Sequence, residues 1–135
     1  MGRSDPIIFQ AYFRMVNDLH PKSVAFLGFN GENGFTHSIQ AEQRDFYDLM
    51  LKNWNINDRW TLGKKYDLIV CTRCPYFSQD PKDFMERCLE HLNPGGRLLV
   101  DWGLGDHWRF KRYKVAWIVT GKQSNHTSYR GSTYH

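Results

Sequence analysis

The chain has 135 residues, 41% of them hydrophobic, and a formal net charge of +4 at pH 7; this length suits one domain and excludes two, because domains cluster around ~100 to 150 residues. No apolar run approaches the ~20 residues that a membrane-spanning helix needs, so we expect no membrane insertion. An odd number of cysteines, three, and no secretory signal indicate a reducing compartment, and we expect a cytoplasmic protein.

Three predicted elements open the chain. A cap and first-turn pair at Asp5-Pro6, followed by apolar residues at helical spacing, predicts a helix that ends near His20-Pro21. The apolar run 23–28, bounded by proline and glycine, predicts a strand buried on both faces. A turn-rich loop of glycines and asparagines, Gly28 to Gly34, follows this strand directly.

The pattern between residues 35 and 65 is less regular. Apolar residues in 35–54 fit a helix, although 36–41 also fit a short polar strand, and we favour a helix over Arg44 to Trp54 only. The polar stretch 55–65 predicts a loop that is anchored by Trp60 and Leu62.

The second half of the chain alternates more clearly between strand and helix. Tyr66 to Cys71 predicts a second buried strand. The pair Asp80-Pro81 and one apolar stripe predict a helix over Ser78 to Leu92, which stops at an Asn-Pro-Gly-Gly turn. Arg97 to Trp102 is the third predicted strand, and Tyr113 to Thr120 is the fourth.

Strand, helix and strand at this spacing predict parallel pairing. We therefore expect one α/β domain over residues 1–122, a compact, partly reduced Rossmann-like sheet, mostly parallel, with flanking helices. Residues 123–135 are expected to lie along an edge or to form a flexible tail. Ligands of such sheets bind beyond the carboxyl ends of the strands, which here are residues 28–34, 72–77 and 101–107.

Three segments in this order resemble the first, fourth and fifth strands of the class I S-adenosylmethionine-dependent methyltransferases. They are Lys22 to Gly28, Lys65 to Cys71 and Phe84 to Val100. The turn Leu92-Asn-Pro-Gly-Gly-Arg-Leu-Leu-Val100 is the most specific part of the resemblance, which covers roughly Lys22 to Trp102. The run Val100 to Trp108 is also similar to short methyltransferase-like proteins of marine bacterial viruses, which would place the protein in the host cytoplasm.

The resemblance implies S-adenosylmethionine as the cofactor and methyl transfer to an undetermined acceptor as the reaction. It implies that the loop after the first strand and the loop after the family's fourth strand hold the cofactor. The candidate cofactor-binding residues are Gly28, Phe29, Asn30, Gly31, Gly34, Thr72, Arg73 and Tyr76, with Glu42, or less favourably Glu32, as the acidic residue that binds the ribose hydroxyls. From the residues alone, the glycine-rich loop fits a tight turn as well as a cofactor site, and either glutamate also fits a plain surface carboxylate.

Acid–base residues are expected just past the third predicted strand. Asp101 or Asp106 with His107 would form such a pair, since histidine titrates near neutral pH. The same residues also fit a loop whose carboxylates cap backbone groups.

The chain departs from the family at its first motif. Phe26 stands at the place of an acidic residue, and Asn30 and Glu32 replace later glycines. About 38 residues separate Gly28 from Asp67, too few for the two helices and two strands that the family places there. We therefore expect at least one helix and one strand to be absent.

Other parts of the sequence bear on alternative functions. The main alternative is a non-catalytic Rossmann-like module that binds nucleic acid or a protein through Arg109 to Arg130, a segment with six cations and no Asp or Glu; a solvated edge explains the same charges. Cys71 and Cys74 lack the second pair that a zinc site needs, so no metal is expected. The loop also lacks Gly-x-Gly-x-x-Gly, which disfavours a nicotinamide-dependent oxidoreductase.

In a methyltransferase this short, one side of the pocket would be open. The chain has almost none of the insertions by which the family usually recognises acceptors. The first helix, residues Asp101 to Phe110 or a second subunit would have to close the pocket, and we expect some self-association.

Overall fold

A five-stranded sheet forms the centre of the fold. The structure, a computed structural model, describes residues 10, 12–14, 16–72, 78–100 and 117–120. Within these residues the strands lie in the order β2-β1-β3-β4-β5. The strands are β1 Ser23–Leu27, β2 Gln43–Tyr47, β3 Tyr66–Cys71, β4 Leu92–Val100 and β5 Trp117–Thr120. Neighbours from β2 to β4 pair in parallel and β5 pairs antiparallel with β4, which confirms the mostly parallel Rossmann-like α/β sheet.

Helical segments accompany the sheet. The short helix α1, Gly34–His37, follows β1, and α2, Pro81–Glu90, lies between β3 and β4. Residues 10, 12–14 and 16 are also helical, where the sequence predicts the first helix. No helix in the described part of the chain is long and apolar enough to cross a membrane.

Both faces of the central strands are covered by apolar side chains. All of β1 is buried, and so is β3 except for Asp67. The α2 face packs Ile69 and Leu98 against Phe84 and the loop that follows β2. The opposite face packs Phe26 and Leu68 against residues of α1 and the N-terminal helical segment. This two-sided burial explains why β1 and β3 are continuous apolar runs in the sequence.

Helix α2 has the predicted start signal. The Asp80 carboxylate accepts a hydrogen bond from the Asp83 N–H at 3.1 Å, and Pro81 is the first helical residue. Phe84, Met85 and Cys88 are buried against the sheet. The helix is therefore confirmed, although it begins three residues later and ends two residues earlier than predicted.

Strand β4 begins earlier than the predicted start at Arg97, because the Asn-Pro-Gly-Gly turn is part of the strand. The pairing with β3 shifts register between Tyr66 and Leu68 to accommodate it. Gly96 permits the close approach of the two strands, since a Cβ atom there would lie 3.0 Å from the Asp67 carbonyl oxygen. The sequence predicts that this segment ends the helix, whereas in the structure it forms the irregular first part of β4.

The helix predicted over Arg44 to Trp54 is wrong. Residues 43–47 form β2, and a bridge between Asp48 and Leu51 closes a tight turn after it. Phe46 stacks on Phe26 of β1 with ring centres 4.9 Å apart, whereas Met50, one helical turn further on, is 82% exposed. Packing on the sheet therefore overrides the helical spacing of these apolar residues.

The segment between β2 and β3 contains no helix or strand of its own beyond the Asp48–Leu51 bridge. Trp60 and Leu62 are buried as predicted, and Trp54 is buried with them. The loop thus covers the α2 face of the sheet with aromatic anchors. Between β1 and β3 the chain forms only α1 and β2, in agreement with the expectation of few elements between Gly28 and Asp67.

Candidate functional site

Three residues lie side by side at the carboxyl edge of the sheet. Leu27 of β1 pairs with Tyr47 of β2, so Gly28 and Asp48 both lie one residue beyond paired positions. The Gly28 N–H donates to the Tyr47 carbonyl oxygen at 2.6 Å and joins the two strand ends. Phe26 pairs with Val70 of β3, so Gly28 and Thr72 both lie two residues further along. The carboxyl ends of β1, β2 and β3 therefore meet at one edge, where open α/β sheets bind their ligands.

The loop after β1 keeps its backbone accessible. Gly28 and Gly31 have φ angles of 80° and 146°, which residues other than glycine rarely adopt. Open space surrounds the position that a Cβ atom of Gly31 or Gly34 would take. Asn30 is exposed, whereas Phe29 is 3% exposed and packs edge-on against Phe26. Phe29 is thus a core residue, and a ligand at this loop would contact the backbone of Phe29 and not its side chain.

Asn33 fixes the end of the loop. Its side-chain oxygen accepts the Thr36 N–H at 2.8 Å, and the Thr36 hydroxyl accepts the Asn33 N–H at 2.8 Å. This reciprocal pair is a capping box, and it starts α1 at Gly34. The loop therefore has a defined exit into a short helix.

Glu32 is fully engaged with its own chain. Arg44 of β2 binds both carboxylate oxygens of Glu32, and the Thr36 hydroxyl donates to one of them at 2.7 Å. The Arg44 hydrogen bond is the main cause that lowers the pKa of Glu32 to about 2. With these partners Glu32 serves as the centre of a structural network, which does not suit a role at the ribose.

Glu42 lies at the amino end of β2, opposite the carboxyl edge. It is exposed and directly precedes β2, so the five residues of this strand, roughly 16 Å at ~3.3 Å each, separate it from the carboxyl edge. This position does not favour the expected contact between Glu42 and a ligand bound at Gly28, which stays a prediction.

Asp48 is the carboxylate that does lie at the carboxyl edge. Its Oδ2 accepts the Met50 N–H at 3.1 Å and its carbonyl oxygen accepts the Leu51 N–H at 3.0 Å, so the tight turn fixes its backbone. The helix predicted over this segment concealed Asp48 from sequence reasoning. The usable signal was the aromatic pair Phe46-Tyr47, residues that favour strands, directly before an acidic residue.

Thr72 completes the described part of the edge, and its side chain is 9% exposed. The other candidates after β3 and β4 lie outside the described residues. They are Arg73, Cys74, Tyr76, Asp101, Asp106 and His107. Among the residues that the structure does describe, no group of three or more His, Cys, Asp or Glu side chains is placed to hold a metal ion.

A cleft of about 550 Å³ lies beside β2 on the α2 face. It is lined by Tyr47, Lys52, Asn53, Trp54, Asn55, Asp58, Arg59, Trp60, Thr61, Leu62 and Gly63. Lys52 and Asn53 follow the Asp48 turn and adopt positive φ angles of 63° and 49°. The cleft borders the carboxyl edge through Tyr47, the last residue of β2, and its other lining residues belong to the loop between β2 and β3.

Hydrogen bonds hold the walls of this cleft. His91 at the end of α2 accepts the Leu62 N–H at Nε2, 3.2 Å away, while its Nδ1 lies 2.7 Å from the Arg87 carbonyl oxygen. The Tyr47 and Tyr66 hydroxyls are 2.8 Å apart, and Tyr66 donates to Asp45 at 2.6 Å. Burial raises the pKa of Tyr66, so its hydroxyl stays protonated and holds Tyr47, which lines the cleft.

The fold of the chain is similar to that of NodS, an N-methyltransferase from Bradyrhizobium japonicum WM9, with a TM-score of 0.59 and 15% sequence identity over 72% of this chain and 67% of NodS. NodS in complex with S-adenosyl-l-homocysteine matches with a TM-score of 0.58 and 16% identity over 73% of this chain and 62% of that protein. The chain therefore spans about two thirds of the length of these NodS structures. No protein-family model and no curated protein matches the sequence. At 15–16% identity this likeness shows the fold alone.

Proposed function

We propose that this protein is an S-adenosylmethionine-dependent methyltransferase with an undetermined acceptor. The observation that carries this proposal is the alignment of Gly28, Asp48 and Thr72 at the carboxyl edge of three neighbouring strands. The similar fold of NodS lends further support, because NodS was crystallised with S-adenosyl-l-homocysteine, the product that S-adenosylmethionine leaves after methyl transfer.

The residues at this edge fit such a cofactor. The glycine-rich backbone from Gly28 to Gly34 has room for a close approach by the amino-acid end. We propose that the Asp48 carboxylate accepts hydrogen bonds from the ribose hydroxyls, the role that the family resemblance implied for Glu42. The cleft of about 550 Å³ beside β2 is within the usual range of small-molecule sites, ~300 to 1,000 Å³. It is the proposed place of the adenine base of the cofactor.

When bound, S-adenosylmethionine supplies an activated methyl group. Because methyl transfer is an in-line displacement, the main task of the protein is to align donor and acceptor. Asp101, Asp106 and His107 remain the proposed acid–base residues, and Arg73 and Tyr76 remain proposed pocket residues beside Thr72. Alanine variants at these positions test them by turnover once an acceptor is known.

Isothermal titration with S-adenosylmethionine and S-adenosylhomocysteine tests the proposal before an acceptor is known. Asp48→Ala should weaken binding roughly tenfold to hundredfold, because a hydrogen bond to a charged group contributes ~1.5 to 3 kcal/mol. Asp48→Asn keeps an acceptor for the Met50 N–H and should bind with intermediate affinity. Glu42→Ala, a carboxylate at the opposite edge, should bind like the wild type.

Two results would contradict the proposal. Folded wild-type protein that gives no heat with either compound would refute cofactor binding. Asp48→Ala that binds like wild type, with Glu42→Ala impaired, would refute the assignment of the edge.

The alternative function is a binding module that uses Arg109 to Arg130, which lies outside the described residues. Salt-sensitive binding to nucleic acid, together with no response to either cofactor form, would favour it. Self-association also stays a prediction, and a monomeric mass at high concentration would contradict it.

A further inference from the structure

Glu32 is the only charged residue in the candidate cofactor loop, Gly28 to Gly34. A free carboxylate at this place would repel the carboxylate at the amino-acid end of S-adenosylmethionine, since nearby like charges disfavour each other. The loop can serve the cofactor only if Glu32 is neutralised and held in place.

Arg44 of β2 does both. Its terminal nitrogens bind the two carboxylate oxygens of Glu32, with Nη2 2.8 Å from Oε1. The same guanidinium donates from Nε to the Ile39 carbonyl oxygen at 3.0 Å and from Nη2 to the Thr36 carbonyl oxygen at 2.6 Å. One side chain thus joins the loop, helix α1 and the segment after α1 to the sheet.

The sheet in turn anchors Arg44. Its Cζ atom lies 5.5 Å from the centre of the Phe26 ring and 5.8 Å from that of Phe46, two rings that stack on each other. The Arg44 side chain is 19% exposed and that of Glu32 34%, so water screens the pair only in part. A planar guanidinium can bind a carboxylate with two nitrogens and lie over aromatic rings at once, and a lysine ammonium cannot.

We propose that Arg44 is a positioning residue for cofactor binding. It holds the loop in one conformation through Glu32, Thr36 and Ile39, and it keeps the Glu32 carboxylate away from the cofactor. This role rests on the proposed function.

Arg44→Lys tests the role, with Arg97→Lys as a matched control. Arg97 forms a second two-nitrogen pair, with Asp18 at 2.6 and 2.7 Å, which joins the N-terminal segment to β4. Both variants keep their charge and should lower the thermal midpoint. Arg44→Lys should bind S-adenosylhomocysteine about tenfold more weakly, the loss expected for a charge-assisted hydrogen bond, while Arg97→Lys should stay within about twofold of the wild type.

Amide hydrogen exchange gives a readout that needs no ligand. The N–H groups of His37, Ser38 and Ile39 bond to carbonyl oxygens at the start of α1 and within it. Their exchange should accelerate in Arg44→Lys and stay unchanged in Arg97→Lys, because Arg44 donates to the Thr36 and Ile39 carbonyl oxygens of this segment.

The outcomes separate this role from the proposed function. Arg44→Lys with wild-type affinity and unchanged exchange, and only a lower thermal midpoint, would overturn the positioning role. Wild-type protein that binds neither cofactor form would overturn the proposed function. In that case faster exchange of the three amides in Arg44→Lys would still support its hold on the loop, and unchanged exchange would refute it.

Discussion

Alanine substitution at Phe46 and at Met50 distinguishes strand β2 from a helix over the same residues. On a helix the two side chains would share one face and contribute alike, whereas in the structure Phe46 is half-buried in a ring stack and Met50 is 82% exposed. Truncating a fully buried Phe costs ~3 to 5 kcal/mol, and a stacked aromatic pair adds ~0.5 to 1.5 kcal/mol. Phe46→Ala should therefore destabilise the fold by about 2 to 3 kcal/mol, and Met50→Ala by less than about 0.5 kcal/mol.

Urea unfolding followed by tryptophan fluorescence measures both effects, because Trp54 and Trp60 are buried against the sheet. The free energy of unfolding should fall for Phe46→Ala with an unchanged dependence on urea concentration. Leu49→Ala, at a residue that is 62% exposed in the same turn, serves as a second control and should behave like Met50→Ala. A loss at Met50 as large as that at Phe46 would refute β2 and restore the helix.

Two further predictions concern the site and the strand entry. The folded-state pKa of Glu32 is about 2 against an ordinary 4.5, so its ion pair stabilises the fold fully above pH 4.5 and loses this effect as the pH falls toward 2. In urea unfolding, Glu32→Gln should therefore lose less stability than the wild type between pH 4.5 and 2. An equal loss of unfolding free energy with falling pH in both proteins would contradict this. Gly96→Ala should destabilise by ~1 to 3 kcal/mol, since the added Cβ would lie 3.0 Å from the Asp67 carbonyl oxygen, whereas Gly34→Ala meets open space and should be neutral in the same assay.

The buried strands and the capped helix could be predicted from the sequence because local and tertiary signals agree there. The apolar runs in β1 and β3 are long enough to exclude a solvent-facing side, and Asp80-Pro81 is both a local cap and the observed helix start. Gly28 and Thr72 followed at once, since they directly extend these strands.

Strand β2 could not be predicted for a physical reason. Phe46, Met50 and Trp54 recur every four residues, as on a helix, yet each has a different environment: a ring stack, solvent and the α2-face core. Only the neighbouring strand β1 decides between the two conformations. The wrong helix also misdirected the prediction of the site. Because β2 runs from Gln43 to Tyr47, Asp48 lies at the carboxyl edge and Glu42 lies at the amino end of the strand.

The most direct test of the proposed methyltransferase site is an experimental structure of the protein with S-adenosylhomocysteine bound. We predict density over the backbone of Gly28 to Gly34, with the ribose hydroxyls within hydrogen-bond distance of the Asp48 carboxylate and the base at the cleft beside β2. Density at another surface, or a ribose that contacts Glu42 and leaves Asp48 in solvent, would contradict it.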